Sequence, residues 1–301
     1  MMEIVNSFIT YGQGPDSLIL AESIRKFGGN FGNSPIWAFT PIKEEDFPKE
    51  VKDQFHSLKV QLIHFEVEQD VDARFPFIAN VNAAAIAESM TINKSKFLIW
   101  YGTNSIILKD PTDYLLNEDK NLGYRPVHHT LIGSIYDEPI DSFWKIIYEK
   151  CNVTEDKIFP MKTHVDYNIL RPYFNSGFLI VRPEKGLLQN YWRKYKELYN
   201  DPIFDDFYKK DKLYVTFIHQ AVLSGVILSK MNHSEIYELP YNYNYPLHLH
   251  DETPLEYQPN SNDELITARF YLNKLVKEGV DKLPIKDKHK EFLLEKIKKI
   301  N

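Results

Sequence analysis

The sequence predicts an α/β fold, a single domain with a mixed, mostly parallel sheet flanked by helices. Three observations carry that prediction. Apolar strand-like runs alternate with amphipathic helical patterns along most of the chain, which marks a parallel sheet with covering helices. The stretch 97–111, FLIWYGTNSIILKDP, reads as a buried strand, a polar break and a second apolar run. No internal repeat and no long polar linker divides the 301 residues, and 43% hydrophobic residues suffice for a substantial core.

Taken in order, residues 3–10 form the first expected strand. A glycine-containing turn, Tyr11-Gly12-Gln13-Gly14, leads to Pro15 at a helix start, and Gly28-Gly29 ends that helix after Phe27. A strand at 36–39, a short acidic helix from Lys43 and a strand at 60–65 continue the alternation. The helix 75–90 carries a run of alanines that lets it pack close to a sheet, and it leads into the strand–turn–strand unit at 97–108. Residues 111–125 read as loop, 127–135 as strand, 141–151 as helix and 152–170 as a long loop. A strand at 172–183, interrupted by Asn175-Ser176-Gly177, feeds an amphipathic helix that runs to Leu198. A helix at 215–229 turns Val215, Ile218, Val222 and Val226 inward, and a short strand follows at 236–239. The segment PYNYNYPLHLHD at 240–251 is dense in aromatics and histidine.

Composition excludes several classes. With 36 Lys and Arg against 42 Asp and Glu the net charge is -6, which argues against nucleic acid as a partner. Residues 274–301 depart from this, with nine Lys against five acids. They read as a solvated face on a terminal helix or as a peripheral contact with an acidic surface. The lone Cys151 allows neither an internal disulfide nor a Cys-rich metal site and suits a reducing compartment. No leader pattern and no run of 18 apolar residues is present, so the expectation is a cytoplasmic chain without a transmembrane segment.

Four segments together resemble the nucleotide-sugar-binding GT-A fold glycosyltransferases, most nearly the family-eight, glycogenin-like group. They are AESIRKFGGNFGNSPIWAFTP; FIANVNAAAIAESM followed by FLIWYGTNSIILKDP; YFNSGFLIVRPEKGLL; and FIHQAVLSGVILSKM with LPYNYNYP. They stand in that family's order and roughly its spacing. The resemblance implies one GT-A-like domain: a half that binds a nucleotide-diphosphate sugar (1–111), a half that holds sugar and acceptor (112–270) and a Lys-rich helical tail (271–301). The acceptor class, saccharide, lipid or protein, stays open. In the family an Asp-x-Asp pair at the strand end holds manganese or magnesium on the donor diphosphate. Here those positions read Gly102 and Asn104, a degenerate motif without either carboxylate, so the implied transferase is metal-independent and no cofactor is expected. The family's donor-facing lysine falls on Asn80, its Asp-Gln pair on His219-Gln220, and its late metal histidine is sought at His248 or His250.

The residues themselves support several roles. Ligands of open α/β sheets bind beyond the carboxyl ends of strands, which makes Thr10, Tyr11, Gly102 and Asn104 donor-side candidates. Asn175 interrupts an apolar strand, and a buried amide needs partners, whether a sugar hydroxyl or loop backbone; Ser176 goes with it, and Gly177 fits a close backbone approach. Gln220 is the candidate for touching sugar, while His219, at helical spacing from Val215 and Val222, reads as a satisfied core residue before a catalyst, with a donor-side contact as the alternative. Arg25 or Arg171 would neutralise phosphate in the absence of a metal, and a surface ion pair is the alternative for Arg25. Asp166 is the candidate general base, in competition with Asp137 and Asp141. The aromatic segment 241–250 reads as a stacking surface or as a lid. Gly12-Gln13-Gly14 has neither Rossmann nor Walker spacing. Two functions follow: sugar transfer from a nucleotide-diphosphate donor, or a catalytically silent nucleotide- or carbohydrate-binding protein on the same scaffold.

Overall fold

A computed structural model of the chain describes residues 1–13, 15–67 and 72–298. Gly14 of the expected first turn and the last three residues of the expected tail lie outside them. The chain begins with β1 (Met2–Ile9), α1 (Asp16–Phe27), β2 (Ile36–Thr40), α2 (Lys49–Ser57) and β3 (Val60–His64). Next come α3 (Ile78–Thr91), β4 (Ser95–Tyr101), the short β5 (Ser105–Ile107), β6 (Leu122–Pro126) and α4 (Ser142–Cys151). The two-residue strands β7 (Met161–Lys162) and β8 (Ile169–Leu170) precede β9 (Phe174–Val181), α5 (Leu187–Leu198), α6 (Asp205–Lys210) and α7 (Lys212–Lys230). The chain closes with β10 (Ile236–Glu238), β11 (Tyr245–Pro246), β12 (Thr267–Arg269), α8 (Leu272–Glu278) and α9 (Asp287–Lys298).

Seven strands make the central sheet in the order β10-β6-β9-β4-β1-β2-β3. Neighbours run parallel except β9, which is antiparallel to both β4 and β6. The result is the mixed, mostly parallel sheet that the alternation predicts, and it draws strands from both sides of residue 111. The reversal of β9 positions the site. Tyr101 at the end of β4 pairs with Phe178, so the start of β9 lies beside the end of β4. A second sheet, β11-β12-β5, crosses this end, with Arg269 of β12 opposite Ser105 of β5.

One core cluster joins α3, α4, α5 and α7 to one side of the sheet through residues such as Trp100, Leu179, Trp144 and Val222. A second packs α1 and α2 against the other side through Phe8, Phe39's neighbour Ala38, and Phe55. Helix α7 is long and apolar enough to span a membrane, yet most of it is buried inside the fold. Gly225 explains how closely α4 packs on it, since a methyl there would stand 2.6 Å from Cys151 Sγ.

Two expectations are corrected. The strand expected at 127–135 is instead a turn-rich loop that opens with Val127 donating its N–H to Tyr173 O; Leu131 adopts a left-handed φ of 49°, and only Ile135 forms an isolated bridge, to Leu170. The strand lies at 122–126, within the expected loop. Its apolar run is broken by buried Arg125, which donates to Glu238 at 3.0 Å and to Leu239 O at 2.6 Å. The C-terminal segment ends in a helix with the expected solvated face, where Asp287, Lys288, Glu291 and Lys298 are exposed, while its other face is anchored: Leu275, Phe292, Leu293 and Ile297 pack with Ile19, Ile106 and Phe270, and Lys296 forms an ion pair with Glu22.

Candidate functional site

A cavity of about 260 Å³ opens where β4 ends and β9 begins. Its floor is Trp100 and Leu179, α3 contributes Asn80 and Ala84, α7 contributes His219 and Gln220, and Arg269 closes it from β12. The polar break at 102–105 is a tight turn, with Ser105 donating its N–H to Gly102 O at 3.1 Å, while Gly102 donates to Gly177 O at 2.7 Å. These bonds fix Asn104 and Asn175 around one point.

That point is the guanidinium of Arg269. Its Nη2 donates to Asn104 Oδ1 at 2.5 Å, and its Nη1 faces Asn175 Oδ1 at 3.4 Å; the same Oδ1 accepts from Gly177 N at 2.9 Å. Burial lowers its affinity for a proton, but a guanidinium stays charged across the physiological range. The glycines make the seat. A methyl on Gly177 would stand 1.9 Å from Nη1, and one on Gly102 would stand 3.0 Å from Nη2.

The α7 wall is organised around Ser176. Gln220 Oε1 accepts from Ser176 N at 3.0 Å and lies 3.2 Å from its hydroxyl, so the side chain braces the turn into β9. His219 Nδ1 faces Thr216 O at 2.8 Å, which assigns the proton to Nδ1 and leaves Nε2 to accept from Ser176 Oγ at 3.0 Å. Burial pushes this imidazole down to about 3, so it is neutral, and it stacks on Phe77 at 4.2 Å. His248 also lines the cavity. Its Nδ1 faces Arg269 O at 3.4 Å, and burial holds it near 4.

The structure therefore gathers Asn80, Gly102, Asn104, Asn175, Ser176, Gly177, His219, Gln220 and His248 around one cavity. It does not bring the other candidates there. Thr10 and Tyr11 sit at the end of β1, one strand over from Gly102, but outside the lining; the Thr10 hydroxyl donates to Ser17 Oγ at 3.0 Å. Arg25 is corrected from phosphate ligand to structural staple, because its guanidinium donates to the carbonyls of Leu58, Gly32, Ser34 and Lys59 at 2.7, 2.8, 2.7 and 3.1 Å. Arg171 is likewise spent on Ser134, Ile135 and Glu138. Asp166 lies outside the cavity, where it accepts from Thr130 N at 2.7 Å and Thr163 Oγ1 at 2.5 Å and ties two loops together. Asp141 caps α4 by accepting from Trp144 N at 3.0 Å, Asp137 is not in the lining, and His250 accepts from the Tyr245 hydroxyl at 2.7 Å away from it. In the aromatic segment Tyr243 is a core residue. Sequence reasoning missed Arg269, and with it His128 and His129 of the lining. The signal for Arg269 was a single cation inside the apolar run Ile266, Ala268, Phe270.

The donor set does not fit manganese or magnesium. Hard cations require several oxygens, preferably charged. Among the described residues no carboxylate lines the cavity, and no three Asp, Glu, His or Cys side chains form a metal-binding group. A guanidinium already stands between the two amides.

No curated protein matches the chain. Several solved structures resemble it loosely. Mouse xyloside xylosyltransferase 1 in its apo form is 12% identical over 91% of this chain and 98% of that one, with a TM-score of 0.48. The galactosyltransferase LgtC, in complex with donor and acceptor sugar analogues, is 12% identical over 88% and 86%, at 0.49. Core-mannan synthase A from Aspergillus fumigatus, in a Mn/GDP form, is 9% identical over 80% and 73%, at 0.43. The family model for the Rhodobacterales glycosyltransferase domain matches residues 14–228, more than two thirds of the chain. The chain belongs to that glycosyltransferase family.

Proposed function

We propose that this chain moves a glycosyl group from a nucleotide-diphosphate sugar to an acceptor hydroxyl, without a divalent metal, in the cavity between β4, β9, α3 and α7. The observation that carries the reading is the cluster of Asn80, Asn175, Ser176 and Gln220 around one cavity in a glycosyltransferase chain. Amides and hydroxyls both donate and accept, which is what a ring of sugar hydroxyls requires. At about 260 Å³ the cavity suits the sugar and phosphate part of a donor. The nucleoside is assigned to the neighbouring β1 end, beside Thr10 and Tyr11, which keeps the nucleoside in the 1–111 half and leaves the sugar and acceptor to 112–270.

A thermal-shift screen of nucleoside diphosphates and their sugars tests this, followed by an assay for donor consumption. A donor at 100 times its dissociation constant stabilises the fold by about 2.7 kcal/mol. No shift with any of them removes the reading.

One observation favours a second reading, binding without transfer: among the described residues no carboxylate lines the cavity to take a proton from an acceptor hydroxyl. That reading expects the same thermal shifts with the donor left intact.

A further inference from the structure

Among the described residues the cavity is lined by one guanidinium and no carboxylate. Arg269 spends two of its five N–H donors on the neutral amide oxygens of Asn104 and Asn175, and its buried Nε has no partner. Holding a half-buried cation without an anion costs free energy, and its unused N–H donors are open to an anion from outside the chain. The molecule also makes room for this group. Gly177 and Gly102 leave a notch at the ends of β9 and β4, and the guanidinium fills it to within 1.9 and 3.0 Å of where their Cβ atoms would stand. The two amides fix its plane.

We propose that Arg269 is the fixed cation that binds the donor's diphosphate, standing on the ground where two carboxylates and a divalent ion would otherwise be. The inference rests on the reading of this cavity as a donor site. A planar guanidinium presents paired N–H groups that match two phosphate oxygens, and because Asn104 and Asn175 already hold it, little freedom is lost when the anion arrives. Gly102 then has a positive role: it is the residue that admits the guanidinium. The short β12 has one as well, since its antiparallel pairing with β5 delivers Arg269 opposite the 102–105 turn.

Calorimetry on the full chain tests this with UDP, GDP, their nucleosides and inorganic pyrophosphate, each in EDTA and in excess manganese. For the wild type we expect the diphosphates to bind more tightly than the nucleosides, with the same Kd in both buffers. Arg269→Gln should weaken the diphosphates by about 10- to 100-fold while the nucleosides change less than about twofold, and Arg269→Lys should fall between. If Arg269→Gln binds diphosphates as the wild type does, or loses nucleosides and diphosphates together with a drop in melting temperature, Arg269 is a structural bridge and the proposal is overturned. If the variant does not fold, the wild type decides: a gain of about tenfold or more on adding manganese overturns the proposal. A wild type that binds no nucleotide in either buffer removes the donor-site reading and this proposal with it, whereas nucleotide binding untouched by Arg269→Gln removes only the proposal. Pyrophosphate bound as tightly as nucleotide, with no nucleoside binding, makes this a general phosphate site and overturns the donor assignment.

Discussion

Arg25 and Arg269 are both half-buried, and neither has a carboxylate partner among the described residues, yet their surroundings set them to different work. Arg25 uses four N–H donors on four backbone carbonyls at the end of α1 and in the loops around β2 and β3. It has nearly exhausted its chemistry inside the protein. Arg269 makes two bonds, both to side-chain amides, inside a cavity. The lesson is that what identifies a binding cation is the hydrogen-bonding capacity left over after the fold has taken its share, more than burial or charge.

The largest expected effect comes from acid and falls on the Arg269 side. Burial holds His164 and His219 near 3, against about 6.5 in an unfolded chain. Both therefore bind a proton only on unfolding between those values, so stability is complete above about pH 6.5 and is lost as pH falls toward 3. At pH 5.5 the two together should cost about 3 kcal/mol, read as a lower urea midpoint. Hydrogen exchange should place the weakening around α7 and residues 163–168, with a smaller share where burial holds His289 near 4 against Phe27; weakening confined to the loops that Arg25 holds would erase the contrast. Next in size, Arg25→Met should cost about 2 kcal/mol in urea unfolding and leave nucleotide affinity unchanged, the reverse of the pattern for Arg269→Gln. A loss of nucleotide affinity would return Arg25 to the site.

Gly102→Asp sharpens the comparison by giving Arg269 the carboxylate it lacks. Nucleoside diphosphate binding should weaken about tenfold, and manganese should not restore it, even in the double variant with Asn104→Asp, because the new acids pair with the guanidinium. Recovery with manganese would show a latent metal site. The smallest effect is that of Asn175→Ala. Asn175 Oδ1 accepts from Gly177 N as well as facing Arg269, so about 1 kcal/mol should be lost in the absence of ligand. An unchanged urea midpoint would mean that the amide serves only a ligand.

What was legible in the sequence was local. The helices at 78–91, 142–151, 187–198 and 212–230 and the strand at 174–181 were found because each carries its own apolar period or run. Asn175, Ser176 and Gln220 were found because polar residues stood out within those patterns. What failed was non-local. Arg125 broke the apolar run of β6, and its satisfaction by Glu238 and Leu239 lies more than a hundred residues away. Arg25 looked like a free cation because the carbonyls of Leu58 and Lys59 come from the far side of β2. Arg269 reaches Asn104 across 165 residues through a three-residue strand with no period to read.

The position of β12 has a consequence for descent. The family match ends at residue 228, so the strand that carries Arg269 lies outside the segment by which the chain is recognised. A lineage could exchange a metal for a guanidinium by altering this short strand together with two positions of the matched segment, Gly102 and Asn104, while the rest of that segment stayed as it was. Relatives grouped by that segment are therefore not bound to share one way of neutralising phosphate, and the residue to compare among them is the one that pairs with the strand after the 102–105 turn.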